Sequence, residues 1–427
     1  MKKLRAAVIG YGARGISYSQ YAIDHPDQLE IVAVAEPIEA RRKNAINMLG
    51  IKEELAFSDW KELLEVPDIA DFIIISTQDK QHYEPALEAI SKGYDILLEK
   101  PMAPTAEETK AITEAAEKKG VRIVVCHVLR YTPLWSRAKE IIDSGKIGKI
   151  LSINHVECVG HHHQSHSYVR GNWGNTERSA PMILAKCCHD TDLIQWLLGE
   201  ECTKVASFGS LGHFTKENMP KCAPERCSDG CPYGETCYYN AVKYYYDNKT
   251  NGWRDTVTNK PNSTDEDVME ALKNGPYGKC VYNTDNDVVD HQVINMEFEG
   301  GCTVSMSMNP FGRPGRRMRL YGTKGELYVD SRDSLLECYS FDELHREGKW
   351  VREDFSPEKI GDTIMSGHGG GDTGIMRALV KYFGDGEQTV SISNVRTSYL
   401  SHLIAFAAEK SRLTGKTIDV EEFSKEV

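Results

Sequence analysis

The amino-acid sequence predicts an α/β protein with a doubly wound parallel sheet first and an α+β domain with a largely antiparallel, open sheet after it. Three observations predict this. Short apolar runs alternate with helix-length segments up to residue 125, later segments alternate apolar and polar side chains, and 427 residues exceed one ordinary hydrophobic core. We therefore predict one domain over residues 1–125 and a second over residues 126–427.

Composition narrows the class of protein. Hydrophobic residues make up 40% and charged residues 27% of the chain, which is typical of a packed globular protein. A net charge of −12 repels nucleic acid and anionic membranes, so neither is expected as a partner. The basic N-terminus lacks a signal-peptide core, and no window reaches the length of a membrane span. We expect a cytoplasmic protein whose 12 cysteines are thiols or metal ligands.

The first strand leads into a glycine-rich turn. The apolar run of residues 4–9 enters GYGARG, and a helix-compatible segment follows. Gly10 permits the tight turn, Gly12 lets a pyrophosphate approach the backbone, and Gly15 lets the helix pack close to the strand. Strand, glycine turn and helix in this order predict a Rossmann domain that binds a dinucleotide.

The second apolar run ends in an acidic residue, Glu36, which lies 21 residues beyond Gly15. A carboxylate there can accept hydrogen bonds from the adenosine ribose and repels a 2′-phosphate. This favours NAD over NADP. The nearby Arg41 and Arg42 leave NADP open, although both also fit a solvated helix face.

The alternation continues through strands at 70–77, 94–98 and 121–125, with helices at about 82–93 and 105–120 between them. The ligand crevice of such a sheet lies at the carboxyl ends of its strands, where several candidate residues fall. The candidate NAD-binding residues are Gly10, Gly12, Ala13, Arg14, Gly15, Glu36, Thr77, His82, Glu99 and Lys100.

The second domain opens with a predicted helix at 134–145 and a strand at 149–157. Segments near 203–211, 290–299, 302–309, 317–321 and 325–330 alternate in the same way. Between the first two strands lies a polar stretch, 161–168, rich in histidine and followed by Trp173. Polyol pockets need donors, acceptors and an aromatic face, which this stretch offers. We predict a polar loop here and assign no metal to its three consecutive histidines.

A cysteine cluster lies within an insertion at about 213–285. Cys222, Cys227, Cys231 and Cys237 fall within 16 residues, and Cys280 follows later. Two interpretations stay open. The cluster holds a structural metal, with zinc ahead of iron-sulfur, or it is a loop of reduced thiols.

A glycine-rich segment surrounds His368 near the C-terminus, ahead of a predicted helix at 373–383. Four glycines beside one histidine are hard to explain by packing, because each glycine adds conformational entropy that folding must overcome. The segment is either a flexible linker or a mobile loop that brings an imidazole to a leaving-group oxygen.

The Rossmann opening, the strand that ends in Glu99-Lys100-Pro101 and the later residues 126–131 resemble the Gfo/Idh/MocA oxidoreductases over nearly the whole chain. The resemblance implies a sugar or polyol substrate and a homo-oligomer, dimer or tetramer, paired through the open sheet. It also implies that Lys100 lies near the nicotinamide and that His189, on a substrate helix at 182–193, is catalytic. Many family dehydrogenases carry an aspartate four residues before that histidine, and this chain has Ala185.

The His368 segment resembles a loop of the NAD-dependent glycoside hydrolases of the same superfamily. That resemblance implies transient oxidation of a sugar at carbon three, elimination of the aglycone, addition of water and re-reduction. Lys100 and His189 would handle the hydroxyl proton, His368 would protonate the leaving oxygen, and Tyr168 or His163 would be the carbon-acid base. The candidate substrate contacts are Arg130, Tyr131, Trp173, Lys186 and Asp192.

Three functions therefore stand as expectations. The first is the redox-neutral glycosidase, which accounts for both the His368 segment and the altered substrate helix. The second is a net sugar or inositol dehydrogenase, and the third is a noncatalytic regulator that senses NAD or a sugar on the same fold.

Overall fold

The computed structural model describes residues 2–341, 348–354 and 366–427. Over these described residues the chain forms two sheets, one of six strands and one of nine. All pairs in the first sheet are parallel, and most pairs in the second are antiparallel. The predicted α/β class is therefore confirmed. Within the described ranges, no helix combines the length and apolar character needed to cross a membrane.

The first sheet has the order β3-β2-β1-β4-β5-β6. The direction of winding reverses between β1 and β4, and open parallel sheets bind ligands at such a reversal. Its strands are fully buried runs of Val, Ile, Leu, Ala and Phe at the centre. The strands are β1 (Leu4–Ile9), β2 (Leu29–Ala35), β3 (Ala56–Phe57), β4 (Phe72–Ile75), β5 (Asp95–Leu98) and β6 (Ile123–Val125).

Helices connect these strands, and local sequence signals set their ends. The Thr105 side chain accepts a hydrogen bond from the Glu108 backbone N–H at the start of α5, and Gly120 ends that helix with φ +76°. The helices are α1 (Ala13–Asp24), α2 (Glu39–Leu49), α3 (Trp60–Glu65), α4 (Tyr83–Lys92) and α5 (Ala106–Lys119).

The second sheet has the order β14-β13-β12-β11-β7-β10-β9-β8-β15, with β7 and β10 paired in parallel. The side chains of β9 alternate strictly between exposed and buried, so one face covers a core and the other is open. Subunit pairing through this open face stays a prediction. The strands are β7 (Ile150–Cys158), β8 (Cys202–Ser210), β9 (His291–Phe298), β10 (Thr303–Asn309), β11 (Gly315–Gly322), β12 (Gly325–Asp330), β13 (Leu335–Ser340), β14 (Lys349–Asp354) and β15 (Ile418–Asp419).

The remaining helices surround this sheet or return to the first one. Two π-helices cover Gln164–Arg170 and Val242–Asp247. The α-helices are α6 (Pro133–Asp143), α7 (His161–His163), α8 (Met182–Ala185), α9 (Cys188–Leu198), α10 (Arg254–Thr258), α11 (Asp265–Asn274), α12 (Ser366–Asp385), α13 (Val395–Thr414) and α14 (Val420–Glu426).

The predictions for two segments, 161–168 and 182–193, are wrong. The polar stretch 161–168, predicted as a loop, is helical and largely buried. The predicted substrate helix 182–193 is interrupted after Ala185, where the Lys186 side chain turns to an ion pair with Glu157.

Helix α12 lies far along the chain but packs on the first sheet. Ile375, Met376 and Leu379 share a core with Val8 and Phe72. The C-terminal part of the chain therefore completes the core of the N-terminal sheet. The domain boundary at residue 125 stays a prediction.

Candidate active site

The glycine-rich turn joins β1 to α1, and its three glycines have different structural roles. Gly10 has φ +89°, and a Cβ there would lie 2.8 Å from the Ser76 carbonyl oxygen. A Cβ on Gly15 would lie 2.3 Å from the Gly10 carbonyl oxygen. Packing therefore requires glycine at both positions, and Gly15 lets helix and strand approach as predicted.

Gly12 is different, because no contact among the described residues requires glycine there. Of those residues, a Cβ on Gly12 would meet only the Arg41 Nη1 atom, at 3.7 Å. No side chain caps the start of α1 at Gly12, so the N–H groups of Ala13, Arg14 and Gly15, ahead of the bond from Ile16 to the Gly12 oxygen, can bind an anion. Open space beside a free helix N-terminus fits the pyrophosphate of a dinucleotide.

A cavity of about 460 Å³ continues from this turn along the carboxyl edge of the sheet. Gly10, Pro37, Trp60, Thr77 and Tyr83 are among the residues that line it. It has room for the adenosine half of a dinucleotide. The residues present therefore fit NAD.

Glu36 lies at the end of β2 with its carboxylate held in place. Its two oxygens accept hydrogen bonds from the backbone N–H groups of Tyr11, at 2.8 Å, and Ile38, at 3.0 Å. The residue is only 3% exposed. Its contact with a ribose stays a prediction, and the carboxylate has its remaining lone pairs for it.

His82 does not face the crevice. It is fully buried, and its Nδ1 and Nε2 atoms lie 2.8 Å from the Pro101 oxygen and 3.2 Å from the Thr77 oxygen. The structure therefore assigns His82 to joining the ends of β4 and β5 rather than to direct cofactor contact. Each of the two ring nitrogens therefore lies within hydrogen-bond distance of a backbone carbonyl oxygen.

Arg14 and Glu99 form an ion pair beneath the glycine turn. The Arg14 Nε atom lies 2.6 Å from a Glu99 oxygen, and its Nη atoms donate to Asp372 at 2.8 and 3.0 Å. Burial raises the pKa of Glu99, but the charges of Arg14 and Lys100 lower it by more. The Arg14 guanidinium is held by Glu99 and Asp372, so any cofactor contact of Arg14 is expected from its backbone N–H, and the predicted contact of Glu99 stays a prediction.

His368 joins the same network. Its Nδ1 atom lies 3.1 Å from Asp372 Oδ1 and 3.4 Å from Arg14 Nη1. Its ring centroid is 6.5 Å from that of His189. His368 therefore lies near His189, its role in the site stays a prediction, and nothing in its local sequence pattern indicated these partners.

The mobile glycine loop around His368 is a wrong prediction in its described part, because residues from 366 belong to α12. Packing requires glycine at Gly371 and Gly374: a Cβ on Gly371 would lie 2.4 Å from the Val128 oxygen, and one on Gly374 would lie 2.6 Å from the Tyr131 oxygen. Gly369 and Gly370 have φ of +68° and +88°, a left-handed backbone that favours glycine. Residues 364 and 365 of the predicted segment lie outside the described residues.

Lys100 and His189 meet at the end of β5. The Lys100 Nζ atom donates to the Ala185 carbonyl oxygen at 3.3 Å and has no carboxylate within ion-pair distance in the described chain. Burial lowers the pKa of His189 well below its usual value, and the charges of Lys100 and Arg316 lower it further. His189 is therefore a neutral imidazole, and its buried Nδ1 atom has no hydrogen-bond partner among the described residues.

The helical stretch 161–170 forms the opposite wall. Burial lowers the pKa of His163 to about 2, with Lys186 and Lys100 adding to the effect. Burial raises the pKa of Tyr168 well above its usual value. The His163 imidazole is therefore neutral and the Tyr168 phenol protonated, and the role of either as the carbon-acid base stays a prediction. The indole N–H of Trp173 donates to Asp79 at 2.9 Å.

Three predicted substrate contacts are buried among protein partners instead. Arg130 and Asp192 form a buried ion pair, with Nε 2.7 Å from Oδ2. The Tyr131 hydroxyl lies 3.1 Å from the Ser393 hydroxyl, and Lys186 pairs with Glu157 at 3.3 Å. Direct substrate contact is therefore not favoured for Arg130, Tyr131 or Asp192, and for Lys186 it stays a prediction.

Sequence reasoning missed a buried charge cluster behind His189. Arg316 donates to Asp190 at 2.8 Å and lies 3.1 Å from Glu157. The His155 Nε2 atom lies 2.7 Å from Asp190. Only the position of Asp190 next to His189 could have indicated it, because the other members come from β7 and β11.

The cysteines do not form a metal site. Among the residues that the structure describes, no three His, Cys, Asp or Glu side chains are arranged to hold a metal ion. Cys222 is exposed, and Cys227, Cys231, Cys237 and Cys280 line a small cavity as free thiols. Structural zinc is therefore not supported, and Arg170 contacts the Cys227 sulfur at 3.6 Å instead.

Models of one oxidoreductase family match both parts of the chain. The model described as an oxidoreductase family with an NAD-binding Rossmann fold matches residues 4–127. The model of the C-terminal alpha/beta domain of the same family matches residues 139–420.

Individual relatives agree with these matches. YteT of Bacillus subtilis, which is named as an oxidoreductase, is 24% identical over 72% of this chain and 72% of its own length. A scyllo-inositol 2-dehydrogenase (NAD⁺) of Bacillus subtilis is 30% identical over 49% of this chain and 58% of its own length. A levoglucosan dehydrogenase in complex with NADH and L-sorbose shares the fold, with a TM-score of 0.72 and 21% identity over 98% of this chain and 99% of that one.

Proposed function

The chain belongs to the Gfo/Idh/MocA oxidoreductase family, and on that premise we propose that it is an NAD-dependent dehydrogenase that oxidises a hydroxyl group of a sugar or an inositol. The observation that carries this proposal is the meeting of Lys100 and His189 beside the glycine turn. The name of the inositol-oxidising relative supports this substrate class.

The glycine turn holds the cofactor in this proposal. Gly12 leaves room for the pyrophosphate, and the N–H groups from Ala13 onward donate to it. The cavity beside Pro37 takes the adenosine half. When bound, NAD⁺ supplies the acceptor for a hydride from the carbon that carries the substrate hydroxyl.

His189 and Lys100 act on that hydroxyl. A neutral imidazole can accept a proton, so His189 takes the hydroxyl proton as the carbon is oxidised. Lys100 Nζ donates a hydrogen bond to the hydroxyl oxygen and stabilises the negative charge that develops there. Because Lys100 contacts the Ala185 carbonyl instead of a carboxylate, its full positive charge faces the substrate.

The replacement of aspartate by Ala185 is thus compatible with oxidation. The backbone oxygen holds the ammonium group in place without cancelling its charge. The charge cluster of Arg316, Asp190 and Glu157 lies behind His189 and supports the start of α9.

The redox-neutral glycosidase is the second candidate, and one observation favours it. The His368 ring lies 6.5 Å from the His189 ring, where it could reach a leaving-group oxygen. The bonding of His368 to Asp372 favours the dehydrogenase, because it engages the imidazole that the glycosidase would need as leaving-group acid.

Two variants separate these candidates. Lys100→Met should lower turnover by about 100-fold or more, because it removes the charge at the hydroxyl oxygen. His368→Ala should lower it by less than about tenfold, since no leaving group needs a proton in a dehydrogenation. Both are measured as the initial rate of NADH formation from an inositol, with NAD affinity determined separately.

A loss of about 100-fold in His368→Ala on an alkyl glycoside, with little loss on the activated nitrophenyl glycoside, would replace the dehydrogenase by the glycosidase.

A further inference from the structure

A second large cavity, of about 470 Å³, lies between the first domain, the 170–178 segment and the insertion at 213–285. Four cationic side chains line it, and Asp285 is its single carboxylate. The whole chain carries a net charge of −12, so the positively charged wall of this cavity is opposite in sign to the chain as a whole. The cationic residues are Arg41, Arg170, Arg178 and Lys279.

Three of these cations have no carboxylate partner among the described residues. Arg178 pairs with Asp285. Arg41 donates to the side-chain oxygen of Asn259 at 2.9 Å, and the Lys279 charge acts on Asp285 without an ion pair within 4 Å among the described residues. Four cations grouped around one carboxylate lower the free energy of an anion that enters the space between them.

Arg170 is the most informative of the three. It is 3% exposed, and it donates to the backbone oxygens of Lys279 and Tyr239, each at 2.7 Å. The Arg170 guanidinium also contacts the Cys227 sulfur at 3.6 Å and the Tyr245 hydroxyl, and none of these described partners is a carboxylate.

The cavity adjoins the substrate side of the candidate site. Trp173 lines it, and its ring lies 6.4 Å from that of Tyr168. Tyr168 lies in turn 5.6 Å from His163, whose pKa is lowered by burial and further by surrounding charges that include Lys186 and Lys100. The Trp173 and Tyr277 rings add aromatic surface to the charged wall, and a sugar ring stacks on such surface.

We propose that this cavity binds the carboxylate or phosphate group of an acidic sugar, so that the enzyme prefers an anionic carbohydrate to its neutral counterpart. This inference rests on the proposed dehydrogenase function, because the anion is taken as part of the substrate. The insertion supplies the specificity, since Lys279 comes from it.

Lys279→Met tests the cavity, because it removes a charge that makes no hydrogen bond in the described structure. Lys273→Met is the matched control: it makes the same change on the same insertion, at an exposed position outside the cavity. Glucuronate, glucose 6-phosphate, glucose and inorganic phosphate are titrated calorimetrically into the full chain saturated with NAD⁺. Circular dichroism verifies that each variant is folded, and Lys279→Gln serves if Lys279→Met is not.

The wild type should bind at least one of the two acidic sugars about tenfold or more tightly than glucose. Lys279→Met should lose about tenfold in affinity for that sugar only, and Lys273→Met should keep the wild-type value. Binding of inorganic phosphate that depends on Lys279 would assign the phosphate group rather than the carboxylate as the recognised anion.

Equal affinity for acidic and neutral sugars would overturn the inference, as would equal losses in the two lysine variants. A loss of NAD affinity in Lys279→Met would assign the cavity to the cofactor instead and would also overturn it. Tight binding of the acid without NADH formation would leave the cavity in place and remove the dehydrogenase function. Oxidation of neutral and acidic sugars without preference would leave the dehydrogenase function in place and remove the inference about the cavity.

Discussion

A substitution at Gly12 tests cofactor binding separately from folding better than a substitution at any other residue of the turn. A Cβ at Gly12 fits the protein but occupies the space proposed for the pyrophosphate. Gly12→Val should therefore fold with nearly wild-type stability and lose NAD binding by about 100-fold or more, which is the scale of a steric clash with the ligand. Calorimetric titration with NAD⁺ and a urea unfolding curve measure the two effects.

Gly15→Ala is the control with the opposite pattern. Its Cβ would lie 2.3 Å from the Gly10 oxygen, so the turn must shift, at a cost of roughly 1–3 kcal/mol in the free energy of unfolding. Unchanged NAD affinity in Gly12→Val would remove the assignment of the pyrophosphate site.

Local pattern predicted some site residues well and others not at all. Gly10, Glu36 and Lys100 could be placed at one edge because parallel strands share a carboxyl end. The ion pairs of Arg316 with Asp190 and Glu157 could not, since they join residues far apart in sequence. His82 was misassigned because position along a strand end does not reveal side-chain direction.

The helical stretch 161–170 and helix α13 carry buried histidines that make stability depend on pH. Burial lowers the pKa of His166 and of His402 to about 3, against an ordinary value of 6.5. Between these values the unfolded chain binds more protons, so stability is full above about pH 6.5 and is lost as pH falls. Each histidine should remove about 1.4 kcal/mol by about pH 5.5.

Urea unfolding curves between about pH 7.5 and 5.5 measure this loss, which should be about 2.8 kcal/mol for the pair. In His166→Phe the ring stacking on Trp253 is kept and the proton uptake is removed, so the slope with pH should decrease by about one proton. The same slope in both proteins would show that His166 is not a buried neutral group.

Periodicity identified helices and strands better than it identified irregular segments. The alternation of β9 between exposed and buried positions was visible in the sequence. The helices over 161–170 were not, because polar residues without a 3.6-residue apolar repeat indicate a loop. The glycines of α12 were visible, but their contacts with residues 128–131 depend on tertiary packing.

At the scale of the whole molecule, the sequence predicted one parallel and one largely antiparallel sheet. It did not predict which later parts of the chain pack on each sheet. Helix α12 returns to cover the first sheet, which no local signal indicates. The insertion packs against the 161–173 segment through aromatic rings, with His162 stacked on Tyr244 at 4.3 Å and His166 on Trp253 at 4.2 Å. The position of the insertion beside the proposed substrate site follows only from the tertiary structure.

The proposed reaction is net oxidation of a carbohydrate hydroxyl by NAD⁺. It is tested most directly by incubating the wild-type chain with NAD⁺ and a panel of inositols, neutral and acidic sugars, and nitrophenyl glycosides, while NADH and phenol release are followed together. One NADH should form per molecule of an inositol or sugar consumed, without bond cleavage. Phenol release without net NADH would contradict it in favour of a glycosidase, and NAD⁺ binding without either product would contradict it in favour of a noncatalytic regulator.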